Sequence, residues 1–251
     1  MKFSLCIEPL FENVSIYDRV KLAKDAGVDA IEFWDPTPYD MKKMAIATQK
    51  LDMPVAGLTM MGAWDIRLNA QWSKLKSSLE NTINAGKEVG CNKFIGLGGE
   101  VECKTDNQKN IMIDNLKRAS EICEKHNVTV IIEPLNSLYD HKGYWLDSSY
   151  IGFEIVKCVN HPNIKVLYDI YHMQIMEGNI ISNIINNIDF IGHFHSAGTP
   201  GRNELNKGEL NYPYVIAAIE KAGYSGYFGF EYWPTYDNAK SLADVLSYVK
   251  T

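Results

Sequence analysis

The chain of 251 residues predicts an α/β fold, a (β/α)8 barrel, on three observations. Short apolar runs alternate with helical segments along the whole length. The helical segments stop at Gly or Asn, where a left-handed C-cap costs least, as in LAKDAG before DAIEFW and EKHN before VTVIIE. The apolar runs are β-branched or aromatic and nearly continuous, as in parallel strands covered by helices on both faces. Eight such units in ~250 residues fit a closed barrel better than an open doubly wound sheet.

In chain order, strands are expected near 3–8, 29–34, 54–59, 93–98, 128–133, 165–169, 190–195 and 227–232. Helices fill the intervals near 15–26, 39–51, 71–89, 107–126, 148–159, 178–187, 212–222 and 238–249. The later stops follow the same rule: GKEVG precedes NKFIGLG, CVNHPN precedes IKVLYD, INNID precedes FIGHFH and EKAGYSG precedes YFGFEYW. Unit spacing varies, so the repeat is structural rather than a sequence repeat of fixed length. No low-complexity segment, charge block or linker divides the chain, and residues 1–251 read as a single barrel domain. A chain this long buries enough surface to need no disulfide or metal merely to fold.

Composition narrows the partners. With 25 Lys plus Arg against 31 Asp plus Glu, the net charge of −6 lacks the basic face of a phosphate-backbone binder, so no nucleic acid is expected. Cys6, Cys91, Cys103, Cys123 and Cys158 are odd in number, widely spaced and without a CxxC pair. They read as reduced, mostly buried thiols of a cytoplasmic protein. No apolar run reaches the ~18 residues of a membrane span. Glu8 interrupts the first apolar stretch and no cleavage signature follows, so neither a membrane nor a secretory signal is expected.

A barrel of this kind carries its active site where the strands end. The last four strands each end in a polar residue: TVIIE at Glu133, KVLYD at Asp169, IGHFH at His195 and YFGFE at Glu231. Isolated charges leaving buried segments cost several kcal/mol unless a partner or metal offsets them. Any one of these acids has a bland explanation, a pairing with a neighbouring Arg, Lys or backbone amide. Four in succession strain it, because Arg202 is the only obvious loop cation nearby. A divalent ion held by Glu133, Asp169, His195 and Glu231 is therefore expected, and three oxygens with one nitrogen suit Mn2+ or Mg2+, with Co2+ compatible.

His172, three residues beyond Asp169, and Arg202, in TPGRNE, are candidate substrate-binding residues. An Arg fork suits a carboxylate or a polyhydroxy substrate, and His172 can donate to a substrate oxygen. Glu204, two residues beyond Arg202, could simply anchor it, and His193 reads as a satisfied core histidine one layer deeper. His126 and His161 read as capping or turn residues. Glu8 and Glu32 end the first two strands and could line the same cavity, with no role evident. Trp34, Trp64, Trp145 and Trp233 could wall a small pocket, though packing serves equally well for each. GLGGE lacks the spacing of a dinucleotide or phosphate cradle, and no serine elbow, HExxH or CxxC motif occurs. Lysine is absent from strand ends, against a Schiff-base aldolase.

The segments IIEPLN, LYDIYHMQIMEGN, IGHFHSAGTPGRNE, GELNYPYV and GYFGFEYWP resemble the xylose-isomerase-like sugar isomerases and epimerases, and within them the hydroxypyruvate isomerase family. The similarity is clearest from about 128 to 238, with AGVDAIEFWD also familial. The resemblance implies that Glu133 and Glu231 are both metal ligands and the catalytic proton-transfer pair. It implies that Asp169 and His195 complete the metal shell, and that His172 and Arg202 contact substrate. Many hydroxypyruvate isomerases carry Gln where this chain has His195, the residue used by the wider sugar isomerases. Ketose 3-epimerases resemble ExLNxxE at the fifth strand, whereas here the last position is Tyr139.

The expected reaction is an aldose–ketose type shift through a cis-enediolate, converting hydroxypyruvate to tartronate semialdehyde or acting on a related small keto acid or sugar. Isomerisation or 3-epimerisation of a longer ketose uses the same pair of acids. A non-catalytic sugar-binding barrel is a distant alternative, and a multi-zinc barrel nuclease is disfavoured by scattered histidines and the charge of −6. The partners expected are a small-molecule substrate and, since dimers and tetramers are common in proteins resembling the family, a homo-oligomer.

Overall fold

Eight parallel strands pair in chain order and the last closes on the first: β1 (Lys2–Cys6), β2 (Ala30–Phe33), β3 (Val55–Thr59), β4 (Lys93–Leu97), β5 (Thr129–Glu133), β6 (Ile164–Asp169), β7 (Ile191–Ser196) and β8 (Tyr227–Phe230). Around them lie α1 (Ile16–Ala26), α2 (Met41–Lys50), α3 (Trp72–Val89), α4 (Asp106–His126), α5 (Ser149–Val159), α6 (Ile170–Met176), α7 (Ile180–Asn186), α8 (Tyr212–Lys221) and α9 (Asn238–Val249). This computed structural model describes all 251 residues. The architecture is the (β/α)8 barrel that the alternation predicts, and strand limits agree to within two residues at every end.

Four of the Gly and Asn stops act as expected, all before β6. Gly27, Gly90, Asn127 and Asn160 cap α1, α3, α4 and α5 with φ of 90°, 70°, 53° and 52°. The stop before β7 differs: α7 gives way at Asn187, φ −132°, to a 3-10 turn over Ile188–Phe190. A second difference is the ninth helix. Asp169 ends β6 and is also the N-cap of α6, its side chain accepting from the backbone N–H groups of Tyr171 and His172. A helix therefore starts directly at the strand end, where a loop was expected, and it carries His172.

Period-two alternation sorts β7. His193 and His195 point into the barrel and reach Glu32 on β2, whereas Phe194 packs against Tyr168, Tyr224 and Phe228 outside it. Phe194, Phe228 and Phe230 are fully buried, each worth ~1.5–3 kcal/mol of transfer free energy. Cys6, Cys91 and Cys123 are buried free thiols, while Cys103 and Cys158 are exposed. No helix is long and apolar enough to cross a membrane.

Candidate active site

Adjacent strand ends bring the four predicted ligands together. Glu133 closes β5, Asp169 closes β6 opposite His195 on β7, and Glu231 follows β8. All four are buried, and one ligand-capable atom of each lies within 4.8 Å of those of the others.

His195 meets acids on both sides. Its Nε2 lies 2.9 Å from Glu32 Oε2, while its Nδ1 lies 3.2 Å from Glu231 Oε2 and 3.6 Å from Glu133 Oε1. Glu32 also meets His193 Nε2 at 2.9 Å and accepts from the Ser4 hydroxyl. Burial alone would raise the Glu32 carboxyl, but the two imidazoles outweigh it and hold the group well below the usual carboxylate range. Burial likewise opposes a charge on His195, and Glu32 and Glu231 overcome it, so its pKa is raised well above the ordinary value. Positive charge belongs between Nδ1 and the acids, whether a proton or a cation supplies it. The arrangement needs Gly229, since a Cβ there would sit 2.6 Å from Glu32 Oε1 and 2.9 Å from His195 Cδ2.

Arg202 reaches the cluster from the β7–α8 loop. One of its terminal nitrogens lies 2.5 Å from Glu231 Oε2 and 3.4 Å from Asp169 Oδ2. The guanidinium lies 5.3 and 5.2 Å from the ring centroids of Tyr171 and Trp233, and its backbone is left-handed, φ 57°. Glu204, the simple alternative partner, does not anchor it. The chain reverses at Gly201 and Arg202, and Glu204 turns inward to accept from Thr235 and Ser241. Glu231 Oε1 accepts from Trp34 Nε1 at 2.6 Å. His172 is fully buried; its Nδ1 faces Asn136, and its Nε2 stands 3.4 Å from Asp169 Oδ2. Burial, then the nearby Arg202 charge, lowers the His172 pKa well below the usual value, so the ring is neutral.

The acids are tuned apart. Burial pushes Asp169 up to about 7 against the pull of Arg202 and His195, and it raises Glu133 as well. Glu231 is buried too, but Arg202 and His195 hold it below the usual range. Glu133 Oε1 is buried without a hydrogen-bond partner. Glu32, Glu133, Asp169 and Glu231 thus set four acids against Arg202 and one cationic imidazole. This excess of acids over fixed cations, with its oxygen-rich donor set, fits a divalent cation.

The cluster floors a cavity of about 140 Å³ walled by Trp34, Trp64, Trp233, Leu97 and Leu135. An outer cleft of about 840 Å³ adjoins it, and Arg202, His141 and Trp233 line both. Trp145 is not part of the wall; it is buried and donates to Gly98 O at 2.8 Å. His193 is the core histidine expected, one layer below His195. Sequence reasoning missed His141 and Tyr171 and gave Glu32 no role. Only Glu32 carried a signal, an acid near the end of an apolar strand.

A family model described as a xylose isomerase-like TIM barrel matches residues 20–250. A 2-oxo-tetronate isomerase from Pectobacterium atrosepticum is 30% identical over 243 residues, covering 93% of this chain and 92% of the relative. A hydroxypyruvate isomerase from Escherichia coli is 28% identical over 244 residues, covering 93% and 94%. Among solved structures, one described as an AP endonuclease, family 2, from Brucella melitensis superposes with a TM-score of 0.91 at 27% identity, covering 98% of each chain.

Proposed function

The chain belongs to the xylose isomerase-like TIM-barrel family, and from that membership we propose that it shifts a carbonyl between C2 and C3 of a short 3-hydroxy-2-oxo acid, interconverting hydroxypyruvate and tartronate semialdehyde. The observation that carries this reading is the placement of Arg202, the only Lys or Arg lining the cavity, beside a pair of strand-end glutamates. Its Nε–H is buried and without a partner, which suits a substrate carboxylate. Hydroxypyruvate and 2-oxo-tetronate, named for two relatives, are both 2-oxo acids. The inner cavity of about 140 Å³ is also well below the ~300–1,000 Å³ of pockets for drug-sized ligands, which favours a compact substrate.

Mn2+ or Mg2+, with Co2+ compatible, held by Glu133, Asp169, His195 and Glu231, would supply Lewis-acid polarisation of the C2 carbonyl and C3 hydroxyl. Arg202 holds the substrate carboxylate. Between them Glu133 and Glu231 remove the proton from C3 and return one to C2. The C3–H electron pair becomes the C2=C3 bond of a planar enediolate while the carbonyl pair moves to O2. The hydroxyl proton lost from O3 balances the one gained at O2, so the product is an isomer. His172 faces the developing negative oxygen, and Trp34, Trp64 and Trp233 keep water away.

The outer cleft of about 840 Å³ favours one second reading, a ketose whose chain extends past Arg202. Tyr139 lies in that cleft and is 71% exposed. A substrate panel separates the two: kcat/KM should be highest for hydroxypyruvate or its four-carbon homologue rather than a hexulose. Arg202→Lys should raise KM for the 2-oxo acid ~10–100-fold, because a point charge replaces a fork whose charged hydrogen bonds contribute ~1.5–3 kcal/mol. An unchanged KM would remove the carboxylate clamp from the account.

A further inference from the structure

Asn136 lies three residues beyond β5, and its other bonds fix which way its amide points. Its Oδ1 accepts from the backbone N–H groups of Tyr139 at 3.0 Å and Asp140 at 3.1 Å. The opposite end is therefore the NH2 group, which donates to Asp140 Oδ2 at 2.8 Å and faces His172 Nδ1 at 2.7 Å. The Asn136 backbone N–H approaches the same Nδ1 at 3.2 Å. Two donors converge on one ring nitrogen, so that nitrogen presents its lone pair and the proton of the neutral ring sits on Nε2. Nε2 is buried and belongs to a residue on the cavity wall; Asp169 Oδ2 stands 3.4 Å away without forming a hydrogen bond to it. The His141 backbone N–H donates to Asn136 O at 3.1 Å, wrapping the loop around this amide.

We propose that Asn136 is a positioning residue that fixes His172 as a neutral Nε2–H donor, aimed into the cavity at the substrate oxygen that gains negative charge. The identity of that oxygen rests on the isomerase reading; the position of the proton does not. A ring with its only proton on Nε2 cannot accept a carbon proton there, which leaves that step to Glu133 and Glu231. It stabilises an enediolate by donating a hydrogen bond without surrendering its proton. Turning the ring over would place a carbon against Asn136 and forfeit both bonds.

Nitrogen-15 NMR of histidine-labelled, Mg2+-loaded protein at neutral pH reads the proton position, with His172→Gln assigning the signal. The expected spectrum has a bare Nδ1 and a protonated Nε2 at His172. A proton on Nδ1, alone or with one on Nε2, overturns the proposal. Asn136→Asp replaces the side-chain donor by an acceptor and should draw a proton onto Nδ1; a ring unchanged from the parent protein overturns the role of Asn136. On hydroxypyruvate, His172→Leu should lose ~100-fold in kcat, as for removal of an oxyanion donor, and His172→Gln, which still offers an N–H, should recover at least about tenfold. Equal losses in the two variants overturn the donor role. Failure of the parent protein to turn over 2-oxo acids would count against the substrate reading alone, since the NMR result needs no substrate.

Discussion

At His195 one ring nitrogen is held by Glu32 and the other faces Glu133 and Glu231, so the orientation of the imidazole proposed as a metal ligand depends on a carboxylate outside the cluster. Glu32→Gln should weaken Mn2+ binding ~10–100-fold by titration calorimetry, and equal affinities would show that Glu32 does not orient the ligand. Glu8 makes a different prediction. Burial pushes its carboxyl up to about 7 from an ordinary 4.5, although Trp34, Cys6 and Tyr39 donate to it. The folded protein thus prefers the protonated form. The associated stability is complete below about 4.5 and is lost as pH rises through about 7, up to ~3 kcal/mol. Glu8→Gln removes that loss, so between pH 5 and 8 urea unfolding should show the variant gaining on the parent; parallel pH dependences would contradict it.

Within the elements, one glycine on β8 makes room for a carboxylate on β2. Gly229→Ala would drive a methyl onto Glu32 Oε1 and the His195 ring, and overpacking of this kind costs ~1–3 kcal/mol. A thermal melt should show a Tm several degrees lower together with weakened metal binding; a parent-like Tm would mean that the barrel wall yields freely. The strands were legible because each is a compact, largely apolar run, and the polar ends of the last four, TVIIE, KVLYD, IGHFH and YFGFE, placed the cluster residues without structure. The helix α6 was not legible, because Asp169 both ends a strand and caps a helix and no loop residues separate the two. The partner of Glu204 was not legible for a related reason: two successive positive-φ residues, Gly201 and Arg202, reverse the chain, so nearness in sequence did not mean contact.

Across the whole molecule, closure of the barrel assembles what no local pattern can reveal. Trp34 and Glu231 are 197 residues apart and share a 2.6 Å hydrogen bond because β1, β2 and β8 are neighbours. His141 lines the cavity through its loop, and nothing in HKGYW signals that. The net charge of −6 is consistent with a substrate met through one part-buried Arg202 rather than a broad basic face. The most direct test of the central claim is proton NMR of the Mg2+-loaded protein in D2O with hydroxypyruvate and a panel of ketoses in parallel. A pair of acids exchanging protons with solvent predicts tartronate semialdehyde carrying deuterium at C2. Exchange confined to the ketoses, or no exchange with any substrate in protein shown to hold its metal, would contradict it.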